Sequence, residues 1–138
     1  MNKVQNEIII YTDGGSRGNP GRAAYGFVIY KDGEKIYSEG EYLGIQTNNY
    51  AEYMAVIKAL EWARENVGEN LKIKLYCDSL LVASQLSGKF KIKHPAIKQL
   101  VRVSKALESY FESIQYFHVF REENKEADAM VNEALDNF

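Results

Sequence analysis

The sequence of 138 residues contains one cysteine, two prolines and no apolar stretch long enough to span a bilayer. With a single thiol, at Cys77, the chain can form neither an internal disulfide nor a cysteine-rich zinc site. The N-terminus lacks a basic segment followed by a long apolar run, which is the pattern of a secretory leader. We therefore expect a cytoplasmic protein that does not enter a membrane.

An excess of charge is also missing. Seventeen Lys and Arg residues against nineteen Asp and Glu residues give a formal net charge of −2 at pH 7. Such a chain has no global attraction for nucleic acid or for an anionic membrane, so a polyanion would have to be bound by a local group of residues. Repeats and linker-like tracts are absent as well, and residues 1–138 are predicted to form one domain. Nothing implies an obligate protein partner, and we expect a monomer.

Apolar periodicity predicts five strands and four helices. The strands are predicted at residues 7–12, 24–30, 35–43, 71–77 and 114–120, and the helices at 49–67, 79–86, 95–111 and 123–135. Asp32-Gly33, between the second and third strands, is a strong hairpin signal. Helical connections make the first, fourth and fifth strands parallel neighbours. The order βββαβααβα thus predicts an α/β fold with a mixed five-stranded sheet flanked by helices.

Two of the predicted strands end on an aspartate. Asp13 follows the first strand, and Asp78 follows the fourth strand, its predicted parallel neighbour. Open α/β sheets place their sites at the carboxyl ends of parallel strands, and neighbouring strands lie about 4.8 Å apart, so both carboxylates can share one site. Two structural alternatives stay open, because Asp13 can open a Gly-Gly turn and Asp78 can cap the next helix.

Two further acidic residues lie on or beside apolar helix faces. A helix turns by about 100° per residue, which places Glu52 among Ala55 and Val56 on the face predicted to pack on the sheet. Asp128 borders the apolar side of the last helix. The alternatives are that Glu52 is a solvated partner of the helix dipole and that Asp128 is an ordinary boundary residue.

These four carboxylates have no matching basic cluster. If they converge, they repel one another, so some must be protonated or a divalent cation must be bound. Oxygen ligands alone suit Mg²⁺ or Mn²⁺ better than zinc. The glycine-rich residues 14–21 match neither a Walker loop nor a dinucleotide fingerprint, and we predict a long turn there.

Together these features resemble one family. The chain is closely similar to the type 1 ribonuclease H family in the segments TDGGSRGNPGRAAYGFVI, TNNYAEYMAVIKAL, YCDSLLVASQL and HVFREENKEADAMVNEAL. Compact archaeal or bacterial members resemble it most. The resemblance implies a ribonuclease H-like fold and an endonuclease that hydrolyses the RNA strand of RNA–DNA hybrids. It further implies two Mg²⁺ ions, with Mn²⁺ as a substitute, and products with 5′-phosphate and 3′-hydroxyl ends.

The resemblance also implies a role for each carboxylate. Asp13 would bridge both ions. Glu52 and Asp78 would help to hold one ion, and Asp128 would help to hold the other. All four would then be both catalytic residues and metal ligands, with one ion activating water and the other stabilising the leaving 3′ oxygen.

Substrate-binding residues are implied in the same way. The resemblance places Asn19, Asn48 and Asn49 at the minor groove, where an amide can bond to the 2′-hydroxyl that distinguishes RNA from DNA. Thr47 matches a position that contacts a phosphate of the DNA strand. Asn48 and Asn49 can alternatively be helix-start residues with no substrate role.

The last strand and helix depart from many bacterial relatives. Those relatives have a catalytic histidine in a longer loop before the last aspartate, and neither His94 nor His118 matches it. Arg121 and Glu123 are candidate auxiliary residues in its place. Leu80 stands where relatives often have a glutamine that contacts RNA.

The basic handle that some relatives insert between two helices is absent. In its place lies the strongest basic bias of the sequence, within residues 87–102. Three of its lysines alternate with apolar residues and are candidate substrate-binding residues: Lys89, Lys91 and Lys93. An extended segment would anchor its apolar side and present the three ammonium groups along one edge. A solvated surface loop is the alternative.

Two other functions compete with the ribonuclease. One is a hybrid-binding module without catalysis, which the presence of all four carboxylates disfavours. The other is a different metal-dependent nuclease of the same broad fold. The Thr-Asn-Asn-x-Ala-Glu block and the Gly-Asn-Pro-Gly loop disfavour this second alternative, because both resemble ribonuclease H itself.

Overall fold

The computed structural model describes residues 6–89 and 91–138, which contain one five-stranded mixed sheet with the strand order β3-β2-β1-β4-β5. The strands are β1 (Glu7–Arg17), β2 (Gly21–Lys31), β3 (Glu34–Gln46), β4 (Lys72–Cys77) and β5 (Ser113–His118). The helices are α1 (Asn48–Asn66), α2 (Leu80–Leu86), α3 (Pro95–Glu108) and α4 (Lys125–Asp136). The predicted order βββαβααβα is therefore confirmed. Within the described ranges, no helix has the length and apolar character needed to cross a membrane.

The strand pairing brings the predicted site together. β1 runs antiparallel to β2 and parallel to β4, and its last β4 partner is Cys77, which lies opposite Thr12. The residue that follows each member of this pair is an aspartate, so Asp13 and Asp78 lie next to each other where the β1–β4 pairing ends. The β2–β3 hairpin turns at Asp32 and Gly33, both with positive φ, as the Asp-Gly signal predicts.

β1 is longer than the sequence pattern predicts. Its pairing with β4 ends at Thr12, but its pairing with β2 continues from Asp13 to Arg17. The glycines after Asp13 are therefore strand residues, and only residues 18–20 form a turn. The prediction of one long turn over residues 14–21 is wrong, because hydrogen bonding to a partner strand outweighs the local preference of glycine for turns.

The end of the chain also differs from its predicted bounds. β5 ends at His118, and Arg121–Glu123 forms a short 3₁₀ turn before α4 begins at Lys125. α4 therefore begins two residues later than the helix predicted at 123–135. This irregular segment places Asn124, which is buried, directly before α4.

Alternate residues of the strands pack against helices on opposite faces of the sheet. Tyr25 and Phe27 of β2 belong to the main core with Val56 of α1, whereas Ala24 packs with Val131 of α4. Fully burying a side chain such as that of Phe27 or Val56 stabilises the fold by about 1.5–3 kcal/mol.

The backbone of α4 lies directly against β2. A Cβ atom added at Gly26 would come within 2.7 Å of the Ala127 carbonyl oxygen. Glycine at this position therefore allows the close approach that brings α4 to the edge of the sheet where Asp13 lies.

Candidate active site

All four predicted carboxylates line one open cavity of about 350 Å³ where the pairing of β1 with β4 ends. β1 provides Asp13, α1 provides Glu52, the residue after β4 is Asp78, and α4 provides Asp128. Four separate elements of the fold thus converge on one site.

Three of these residues form the centre of the site. Ligand oxygens of Asp13, Glu52 and Asp78 all lie within 4.8 Å of one another. Asp13 is 4% exposed and Glu52 is 8% exposed, which is unusual for carboxylates. Asp128 lies outside this compact group but faces the same cavity.

The structural alternatives for the aspartates do not describe what these side chains do. Asp13 opens no turn, because β1 continues past it, and its Oδ1 accepts a hydrogen bond from the Gly14 amide at 2.9 Å. Asp78 does not cap α2. That cap is Ser79, whose hydroxyl accepts a hydrogen bond from the Val82 amide.

Glu52 is turned inward by the close packing of α1 on β1. A Cβ atom added at Gly14 would lie 2.3 Å from the Ala51 carbonyl carbon, so the two backbones are in direct contact there. The next residue is Glu52, which is therefore a buried group rather than a solvated partner of the helix dipole. This confirms the placement predicted from the helical phase.

The electrostatics of the site raise the pKa of its two buried carboxyl groups, Asp13 and Glu52. Burial, followed by the charges of Asp78 and Asp128, raises the pKa of Asp13 to about 8. Burial and the charges of Asp13 and Asp78 raise the pKa of Glu52 well above its usual range. Both shifts arise because negative charge is concentrated where little water can screen it.

Two carboxylate oxygens of the site show that a divalent cation would fit. Glu52 Oε2 and Asp78 Oδ2 are buried and have no hydrogen-bond partner among the described residues. A buried oxygen of this kind is costly unless it meets a donor or a cation. The donor set contains carboxylate oxygens without histidine or cysteine, which matches Mg²⁺ or Mn²⁺.

The predicted minor-groove asparagines form part of a network beside the cavity. Asn48 Oδ1 accepts hydrogen bonds from the Ser16 amide at 2.8 Å and from the Ser16 hydroxyl at 3.1 Å. Asn19 Oδ1 in turn accepts a bond from the Asn48 amide at 3.0 Å. These bonds use the carbonyl sides of both amides, whose NH₂ groups are the donors that a ligand would meet.

Thr47 and Asn49 lie at the start of α1. Thr47 is the N-cap, and its hydroxyl accepts a hydrogen bond from the Tyr50 amide at 3.1 Å. Asn49 is exposed in the first turn. The helix-start alternative thus describes where both asparagines of α1 lie, but Thr47 provides the cap.

The three lysines are exposed in the connection between α2 and α3. α2 has seven residues and begins two residues after Asp78, so about 10 Å of helix separates its start from this connection. Two apolar residues are predicted to anchor this segment: Ile92 is half-buried, and Phe90 lies outside the described residues.

The structure separates the two auxiliary candidates. Arg121 lines the carboxylate cavity, and within residues 6–89 and 91–138 it has no ion-pair partner. The other cation of the cavity, Arg17, is paired with Asp136 at 2.7 Å. Glu123 instead lines a neighbouring cavity, and its Oε1 accepts a hydrogen bond from the Phe120 amide.

Sequence patterns did not single out two polar residues that the structure brings to the site. Ser16 bonds to Asn48 as described above. Asn124, only 1% exposed, donates a hydrogen bond from Nδ2 to the carbonyl of Thr12. The sequence pattern places Asn124 inside the predicted helix at 123–135, and no local signal in the sequence points to its contact with β1.

Known relatives match this chain over most of its length. A family model described as reverse transcriptase-like matches residues 11–134. A bifunctional protein of Mycobacterium tuberculosis is 39% identical over 94% of this chain, which spans 36% of that protein's length. Ribonuclease HI of Halobacterium salinarum is 40% identical over 92% of this chain, which spans 63% of its length.

Solved structures match equally well. RNase H1 from Halobacterium salinarum has a TM-score of 0.90 at 41% identity, covering 96% of this chain and 99% of that chain. The N-terminal RNase H domain of the mycobacterial protein has a TM-score of 0.89 at 39% identity, with 94% and 99% covered. LC11-RNase H1, solved with an RNA/DNA hybrid, has a TM-score of 0.89 at 38% identity, with 94% and 97% covered.

The sheet order, the helices and the buried carboxylate group thus define a protein of the ribonuclease H fold class. Within that class, the chain belongs to the type 1 ribonuclease H family. The resemblance found in the sequence segments is confirmed.

Proposed function

We propose that residues 1–138 act as one ribonuclease H domain that cleaves the RNA strand of RNA–DNA hybrids endonucleolytically. The observation that supports this most directly is the group of three carboxylates with ligand oxygens within 4.8 Å of one another. A second support is the hybrid bound to LC11-RNase H1, a neighbour that matches this chain over 94% of its length.

Each carboxylate has a proposed task in this reaction. Asp13, at the centre of the group, would contact two Mg²⁺ ions, with Mn²⁺ as a substitute. Glu52 and Asp78 would complete one ion's ligands, and Asp128 would contribute to the other's. When bound, such ions activate the attacking water and stabilise the leaving 3′ oxygen, which gives 5′-phosphate and 3′-hydroxyl ends.

RNA would be selected over DNA by the asparagine network. Asn48 lines the carboxylate cavity and its amide bonds to Asn19, so the NH₂ groups of these two residues and of the exposed Asn49 would donate to a 2′-hydroxyl in the minor groove. Thr47 would contact a phosphate of the DNA strand. Arg121 would bind a phosphate next to the scissile bond, because among the described residues it is the cation of the cavity without an ion pair.

A strand-specific cleavage assay tests the proposal. The protein would be incubated with an RNA–DNA hybrid whose strands have different labels, in Mg²⁺, in Mn²⁺ and in chelator. We expect internal cleavage of the RNA strand only, and only when the ion is present. The products should carry 5′-phosphates that a phosphatase can remove. Binding without cleavage would favour a hybrid-binding module, and trimming from one end would favour another nuclease of this fold.

Lys89, Lys91 and Lys93, called the basic segment here, are proposed to bind the phosphates of the hybrid. Replacing all three with alanine tests this role. We expect weaker hybrid binding, a higher KM and little change in saturated turnover. Each lost phosphate contact should also flatten the dependence of log affinity on log salt by somewhat under one unit, because fewer counterions are released on binding. Binding titrations at several salt concentrations measure this slope.

A variant of equal charge provides the control. The exposed Lys35 and Lys72 and the half-exposed Lys58 form ion pairs on other elements, and replacing them with alanine removes the same number of charges. This control should keep a steeper salt dependence than the basic-segment variant. Identical slopes for the two variants would mean that the basic segment is only a charged surface.

A further inference from the structure

We propose that Asn124 is a positioning residue that ties the start of α4 to β1 and so holds Asp128 at the carboxylate site. The catalytic part of this inference rests on the proposed function. Its effect on ion binding does not require hybrid cleavage and rests only on the proposed role of Asp128 in holding an ion.

Two hydrogen bonds connect β1 to Asp128 through Asn124. Asn124 Nδ2 donates to the Thr12 carbonyl oxygen at 2.9 Å, and Thr12 immediately precedes Asp13. The Asn124 carbonyl then accepts a bond from the Asp128 amide at 3.1 Å, the first backbone bond of α4. Asp13 and Asp128, which are far apart in sequence, are thus linked through the side chain and the backbone of one residue.

Ordinary helix capping does not explain Asn124. An asparagine before a helix normally uses its side-chain oxygen to accept a bond from an amide of the first turn. Asn124 makes no such side-chain cap, and its amide reaches across to β1 instead. It is also 1% exposed, whereas asparagine is mostly found at the surface.

The hydrogen bond between Asn124 and Thr12 lies directly before the first residue of α4. The three residues of the preceding 3₁₀ turn, Arg121–Glu123, are exposed, so they provide little buried surface to fix the helix. Asp128 lies one turn into α4, and a shift of the helix start would move its carboxylate away from Asp13. A misplacement of about 1 Å in a catalytic constellation can cost about 100-fold in rate.

The test compares Asn124→Ala and Asn124→Leu, which both remove the donor. Leucine keeps the branched shape and the number of side-chain heavy atoms of asparagine, so it removes the donor without creating the cavity that alanine leaves. We expect the Mg²⁺ and Mn²⁺ concentrations for half-maximal thermal stabilisation to rise about tenfold. Turnover of the hybrid should fall at least tenfold, with KM for the hybrid within about twofold of wild type.

Ser104→Ala is the matched control. Ser104 is fully buried and donates to a backbone carbonyl, that of Leu100, within α3 and away from the cavity. This variant loses a comparable bond, so its melting temperature should fall without a change in ion requirement or turnover. Each protein would be assayed at the same interval below its own melting temperature, so that lost stability alone does not mimic lost positioning.

A double-variant cycle with Asp128→Ala decides whether Asn124 acts through Asp128. If it does, Asn124→Leu should add little further loss of turnover or ion affinity once Asp128 is removed. Additive losses, or single variants with wild-type ion midpoints and turnover, would overturn the inference. If the wild type binds ions but does not cleave hybrids, the proposed function fails, while the ion midpoints still test Asn124.

Discussion

Asp13→Asn should abolish cleavage of an RNA–DNA hybrid while leaving the protein folded. Asparagine has nearly the same shape but lacks the charge at the centre of the carboxylate group, where Asp13 lies within ligand distance of Glu52 and Asp78. Stabilisation of transition-state charge by bound ions contributes several kcal/mol, so we expect turnover to fall on the order of 10³-fold or more. Single-turnover cleavage with excess enzyme measures this loss without interference from product release.

Asp32→Asn makes the same chemical change outside the site. Asp32 is exposed in the β2–β3 turn with positive φ, a conformation that asparagine also adopts readily. This control should cleave like the wild type. The hybrid affinity of Asp13→Asn should stay within severalfold of the wild-type affinity, because the residues proposed to bind the hybrid lie outside the carboxylate group. Substantial cleavage by purified Asp13→Asn would remove this residue from the essential set.

The parts of the site that local sequence patterns predict are those that depend on strand ends and helix phase. Asp13 and Asp78 are found together because parallel strands end at one edge of the sheet. Glu52 is found because a carboxylate within an apolar helical stripe must point at the sheet. Both arguments need only the type of each element and its direction.

Contacts between distant segments are what the patterns miss. The glycines after Asp13 suggest a turn, but β2 continues to pair with them, and this pairing is visible only once the sheet exists. Asn124 lies within the predicted last helix, yet in the structure it precedes α4 and bonds to Thr12, 112 positions away. The distances that make Asp13, Glu52 and Asp78 one compact group likewise depend on close backbone contacts such as that of Gly14 with α1.

Without divalent ions, the carboxylate group should make the protein less stable as the pH rises. The folded-state pKa of Asp13 is raised to about 8, against about 3.9 for an unperturbed aspartate. Its contribution to stability is therefore fully present below about pH 4 and is lost as the pH rises through about 8. Glu52, whose pKa is also raised, acts in the same direction. Urea unfolding in chelator measures the free energy of unfolding at pH 5 and at pH 8. Between these two pH values, Asp13→Asn should lose less unfolding free energy than Asp32→Asn.

Divalent ions should reverse this loss, and Glu52 should be needed for the reversal. An ion that binds only the folded protein stabilises it by about 2.7 kcal/mol when present at 100 times its dissociation constant. For a domain of this size that corresponds to a rise of several degrees in melting temperature, roughly 6–12 °C. We expect this rise in the wild type at pH 8 and a clearly smaller one in Glu52→Gln, which removes a buried ligand charge. Glu61→Gln, a half-exposed position of the same helix, should respond like the wild type. Equal ion-induced shifts in Glu52→Gln and Glu61→Gln would show that Glu52 is not a metal ligand, however deeply it is buried.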